Sequence, residues 1–128
     1  MSQFVVVNVD QVLAIHEVVI GANELQGLAK NKSLVATLER VHNRLQYGFI
    51  SDAFDLAACY ATFIAKAHCF HDANKRTAAT VLAFILDSNG ISIDFNDYAL
   101  GDWIIDVASD KNTELDFAAW LRAQTKED

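Results

Sequence analysis

A chain of 128 residues has room for one well-packed domain and not for two. With 52% hydrophobic and 21% charged residues, it does not have the composition of a disordered chain. Its net charge of −7, with ten Lys and Arg scattered along it, argues against a nucleic-acid binder, which needs a basic stripe to meet phosphates.

The first residues carry no basic region, and the apolar run Phe4 to Val7 is too short for a secretion signal. No stretch reaches the roughly 20 apolar residues of a membrane helix. The two cysteines, Cys59 and Cys69, show no framework spacing, so both are read as reduced thiols. Together these points predict a cytoplasmic protein.

Phe4 to Val7 reads as a short strand or an extended leader. Val12, Ile15 and Val19 then share one face of a first helix. Gly21 to Lys32 contains Gly21 and Gly27 and lacks periodicity, which predicts a mobile, functional loop. Leu34, Leu38, Val41 and Leu45 mark a second helix, ended by Tyr47-Gly48. A third opens at Ser51 or Asp52, either a good cap, and carries Leu56, Tyr60, Phe63, Ile64 and Ala67. Its wide, Ala-rich stripe predicts a central, mostly buried helix whose end delivers His68. A fourth runs from near Asn74 to near Ser88, with Ala78, Val81, Leu82 and Ile85 inward, and Asn89-Gly90 stops it. After an extended Ile91 to Ile93, Leu100, Ile104 and Val107 suggest a fifth. Thr113-Glu114-Leu115-Asp116, a capping box weakened by its Asp, opens a last helix through Trp120. The chain contains no Pro to interrupt any of them. The expectation is an all-α bundle of about six helices in a single domain, residues 1–128.

Polar function is concentrated in His68-Cys69-Phe70-His71-Asp72-Ala73-Asn74-Lys75-Arg76, between two strongly apolar helices. A structural turn there needs only a Gly or Asn. Asn74, Lys75 and Arg76 fall on the first turn of the following helix, where free backbone N–H groups and the macrodipole favour an anion. The two cations add charge-assisted hydrogen bonds, so this segment reads as a phosphate site. Asp72 could hold a Mg²⁺ ion bridging phosphate oxygens, although on its own it could equally be the cap of the next helix. His68 has the ordinary pKa of a group that accepts a hydroxyl proton near neutrality. Phe70, apolar within a polar run, is read as pointing into the core. His16 and His42 read as ordinary surface or groove residues, and Trp103 and Trp120 as core or as a groove for a partner.

The segment resembles the signature of the Fic/Doc family, His-x-Phe-x-(Asp/Glu)-(Gly/Ala)-Asn-(Gly/Lys)-Arg, and matches it at every specified position from His68 to Arg76. Lys75 and Ala73 where Fic enzymes carry Gly, and Ala79 where they carry a second Arg, make it similar to the Doc (death-on-curing) toxin branch. Cys69 replaces the usual Fic Pro. The resemblance implies the toxin of a toxin–antitoxin module. Its activity would be to move the terminal phosphate of ATP onto a threonine of elongation factor Tu, with Mg²⁺, and so stop translation. It also implies His68 as general base, Asp72 as metal ligand, Asn74, Lys75 and Arg76 around the phosphates, and Phe70 as structural. Lys66 stands where Doc-like chains often have a basic residue. The implied partner is an antitoxin whose tail folds as a helix into a groove beside the 21–32 loop and the active site.

Three other readings stay open. One is a Fic-type adenylyltransferase. A second is an HD-type metal phosphohydrolase, built from His42, His71-Asp72 and Asp106. The third is a non-enzymatic module that keeps the fold and binds a partner.

Overall fold

The structure, a computed structural model, describes residues 4–30 and 32–125. Asn31 of the expected loop and both ends of the expected 1–128 domain lie outside the described residues. Six helices follow one another: α1 (Val9–Val19), α2 (Leu34–Gln46), α3 (Ala53–Ala67), α4 (Asn74–Ser88), α5 (Asp97–Ala108) and α6 (Glu114–Ala123). The expected all-α architecture is the one observed.

Five of the six helices begin at a side-chain cap. Asn8, Ser33, Asp52, Asn96 and Thr113 accept from the N–H three residues on, at Gln11, Ala36, Asp55, Ala99 and Asp116. Each such cap stabilises a helix by about 1 kcal/mol. At α1 Gln11 returns the bond to Asn8 N–H, completing a capping box. The last helix continues past Trp120 to Ala123, because nothing in Leu121-Arg122-Ala123 opposes helix.

α3 is the centre of the bundle and packs against α2, α4, α5 and α6, while α1 reaches α4 and α2. Its residues Leu56 to Ala61 are all fully buried. The small Ala side chains among them let neighbouring helices approach closely, and Leu56, Tyr60 and Ile64 fill the space between. Val81, Leu82 and Ile85 of α4 and Phe117 and Leu121 of α6 complete the core, each large side chain contributing roughly 1.5–3 kcal/mol by burial. Trp103 and Trp120 are half-buried against this core and stack with Phe117 and Phe95.

Phe4 to Val7 forms no strand. Val7 is fully buried, its N–H donates to the Tyr60 hydroxyl (3.2 Å), and His42 Nε2 lies 2.7 Å from the same oxygen. Burial pushes the Tyr60 phenol up to about 12. Both cysteines are free and buried, and burial raises the Cys59 thiol above its usual range. No described helix is long and apolar enough to cross a membrane.

Candidate active site

The chain leaves α3 through His68, whose φ of 49° is left-handed, and enters α4 through Ala73, at φ 66°. Neither is Gly, so each holds a conformation that costs of order 1 kcal/mol or more. Such strain persists only where surrounding contacts over-determine the backbone, and here they do. Cys69 carbonyl accepts from Ala29 N–H (2.8 Å), His71 N–H donates to Gly27 carbonyl (3.2 Å), and Leu28 and Phe70 form an isolated antiparallel bridge. The segment expected to be a mobile loop is therefore stitched along the 69–71 turn by its residues 27–29. Two strands of backbone that cannot pair inside a helix have paired with each other.

Between the two strained residues the side chains divide. Phe70 is buried, as expected, and its ring lies flat on His16 at 3.7 Å between centroids. Asp72 is half-buried, and its Oδ2 accepts from Leu25 N–H (2.8 Å). His68, His71, Lys75 and Arg76 are exposed and, with Asp72, Ala73 and Asn74, line one open hollow of about 280 Å³. α4 is the one helix with no side-chain cap, and its first turn holds no acidic residue. The N–H groups that caps consume elsewhere are left to this hollow. Arg76 donates to the Val19 carbonyl (3.0 Å) and pairs with Glu24, while Glu24 Oε1 accepts from Gly21 N–H (2.7 Å). The Arg76 guanidinium, aided by that N–H, holds the Glu24 carboxyl below its ordinary value.

A sequence profile described as the Fic/DOC family matches residues 6–86. The chain is also 31% identical over 114 residues, 88% of its length and 90% of the other's, to a protein of Escherichia phage P1 named protein kinase doc. The chain belongs to the Fic/DOC family. Within it, the resemblance to Doc read from Lys75, Ala73 and Ala79 is matched by that relative.

Not every residue expected in this Fic/DOC site points into it. Asn74 accepts from Phe70 N–H (3.0 Å) and donates to Phe70 carbonyl (2.9 Å), so its amide braces the turn, leaving its backbone N–H and the second side-chain N–H for an anion. Lys66 pairs with Asp110 and lines a different cavity with Arg44, Phe63 and Glu114. Two positions before His68 on a helix is about 200° of rotation, which carries the side chain to the far side. That cavity, at about 670 Å³, is larger than the hollow at the start of α4, yet it holds none of the motif. Chemistry, not volume, identifies the site.

His16 was expected at the surface or in a groove but is 3% exposed, with Nε2 2.8 Å from the Asp72 carbonyl. Its signal was available: His16 follows Val12 by one helical turn and so shares its inward face. Glu24 had no signal, because its segment has no periodicity to orient it. The HD-type set does not assemble. His42 is engaged with Tyr60, Asp106 accepts from Asn112 (3.3 Å), and no group of three His, Cys, Asp or Glu that could hold a metal exists among the described residues.

For Mg²⁺ the fit is that of a shared site. Asp72 offers one carboxylate with one oxygen committed to Leu25, so an ion there needs phosphate oxygens and waters as its other ligands.

Proposed function

We propose that this chain is the toxin of a toxin–antitoxin module, a phosphotransferase that moves the terminal phosphate of ATP onto a threonine hydroxyl of a host protein, elongation factor Tu being the first candidate. The observation that carries the reading is the uncapped start of α4, where Lys75 and Arg76 share a hollow with His68. The name of the phage P1 relative, a protein kinase, supports phosphate rather than nucleotide transfer.

His68 takes the proton of the threonine hydroxyl. The oxygen attacks the terminal phosphorus of ATP, the bond to the bridging oxygen breaks, and ADP leaves with the electron pair. The α4 N–H groups, Lys75 and Arg76 stabilise charge on the phosphoryl oxygens in flight, the main work in such transfers. Asp72 would hold Mg²⁺ against those oxygens, and the ion neutralises phosphate charge when bound. Lys75 fills space that a Gly would leave for a diphosphate, which favours a nucleotide bound in the reverse direction to that of adenylyltransferases.

The antitoxin fits an apolar groove of about 450 Å³ where Ala79 of α4 faces Leu100, Gly101 and Ile104 of α5. Ala79 and Gly101 allow a helix to approach, and the groove runs up to Lys75 and Arg76, so an occupying helix would cover the phosphate hollow. The purified chain, incubated with labelled ATP, Mg²⁺ and elongation factor Tu or a bacterial lysate, should label a threonine with phosphate, as read by mass analysis. An AMP adduct would make it an adenylyltransferase instead. No transfer with any divalent metal would sink the enzyme and leave a binding module.

A further inference from the structure

His16 belongs to α1, remote in sequence from the motif, yet it makes two contacts with the motif turn. Its ring stacks on Phe70 with only 8° between planes, and its Nε2 reaches the Asp72 carbonyl at 2.8 Å. A carbonyl only accepts, so Nε2 carries the proton. The stack fixes the start of the turn, and the hydrogen bond fixes its end. The peptide joining Asp72 to Ala73 is trans, so anchoring the Asp72 oxygen on α1 turns the Ala73 N–H to the opposite side. Ala73 is left-handed, and both it and Asp72 line the hollow. The orientation of one peptide plane therefore sets where the Asp72 carboxylate and the first amides of α4 lie.

We propose that His16 is a positioning residue for phosphate transfer. Through its Nε2 proton it holds the Asp72–Ala73 peptide in the plane that the anion hollow requires, while Phe70 keeps the imidazole from rotating away. The kinetic part of the proposal rests on the phosphotransferase reading, and the spectroscopic part does not.

Two substitutions separate the hydrogen bond from the packing. His16→Phe keeps a ring over Phe70 and removes the donor, whereas His16→Gln keeps an N–H at similar reach and removes the ring. Loss of positioning lowers kcat for labelled-phosphate transfer about 10- to 100-fold in His16→Phe. KM for ATP should rise in the same variant, because the peptide shapes the hollow that holds the phosphates, and His16→Gln should recover most of both. If His16 is only packing, the order reverses and His16→Phe is the better enzyme. Wild-type rates in His16→Phe, or His16→Gln no better than His16→Phe, overturn the proposal.

Amide spectra of the ligand-free variants give the second arm. The Ala73 signal should move in His16→Phe and return towards its wild-type place in His16→Gln, and an Ala73 amide indifferent to both overturns the proposal. The wild-type imidazole spectrum needs no variant that folds: a protonated Nε2 supports the assignment, and an unprotonated one removes it. If the wild type transfers no phosphate, the functional reading falls while these spectra still decide His16.

Discussion

The N-termini of α3 and α4, the two helices that pack most extensively on each other, are built in opposite ways. At α3, Asp52 caps the Asp55 N–H and Asp55 accepts from Ser51 N–H, while Arg122 of α6 clasps both carboxylates at 2.6–3.0 Å. Its free N–H groups and its dipole meet negative charge from within the chain. At α4 the cap position is an Ala in a left-handed conformation, and the first turn carries Lys75 and Arg76, cations that oppose the dipole. One end is finished by its own side chains. The other is left incomplete, and an incomplete helix start beside cations favours an anion. The pair shows one fold closing one helix start with its own charges and leaving another open.

Substitutions at the two ends should sort accordingly. His68→Gly tests the strained side hardest. It relieves a left-handed residue, raising stability by about 1 kcal/mol in a denaturant melt. It also removes the proposed base, so transfer should fall about 10²- to 10⁴-fold. A stabilised variant that keeps its rate would refute the role given to His68. Arg76→Ala should cut kcat/KM about 100-fold or more while leaving the melting temperature nearly unchanged. The mirror experiment is Asp52→Ala, which should cost about 1 kcal/mol of stability and leave transfer intact. Equal effects of Arg76→Ala and Asp52→Ala on both readouts would erase the distinction.

Titration sharpens the same contrast. Burial raises the Asp52 carboxyl, but the Arg122 hydrogen bond and the Asp55 N–H outweigh it, and the net shift is downward. The folded pKa then lies below the unfolded one, and the unfolded chain binds more protons between them. The contribution is complete above the ordinary carboxylate value of about 3.9 and is lost as pH falls through the folded value. Asp52→Asn should flatten stability across that window, by a modest amount because the group is partly solvated. The smallest effect belongs to Glu24→Gln. Freed from a carboxylate, Arg76 should bind inorganic phosphate a few-fold more tightly by calorimetry, and unchanged binding would show that Glu24 does not compete with the anion.

How much of this was legible varies by element. The six helices were readable because apolar spacing and caps are local, and Asp52 and Thr113 announce themselves by residue type. The motif was readable because nine consecutive residues carry it. Its internal division was not, since Asn74 and Arg76 look equally polar in sequence and only the turn's geometry sends the Asn74 amide back to Phe70. Lys66 was singled out by resemblance alone, and only the tertiary structure shows that it pairs with Asp110.

By itself, the order of residues determined the helices, the all-α class and the nine-residue segment that carries the proposed chemistry, because each rests on spacings within a few turns of one chain. Tertiary structure decided what that segment's side chains face. It brought His16 beneath Asp72, Glu24 onto Arg76 and residues 27–29 alongside the turn, contacts 40 to 60 positions apart that no local pattern encodes. They form only when burying α1 against α4 and pairing otherwise unsatisfied backbone leave those groups no other place to go.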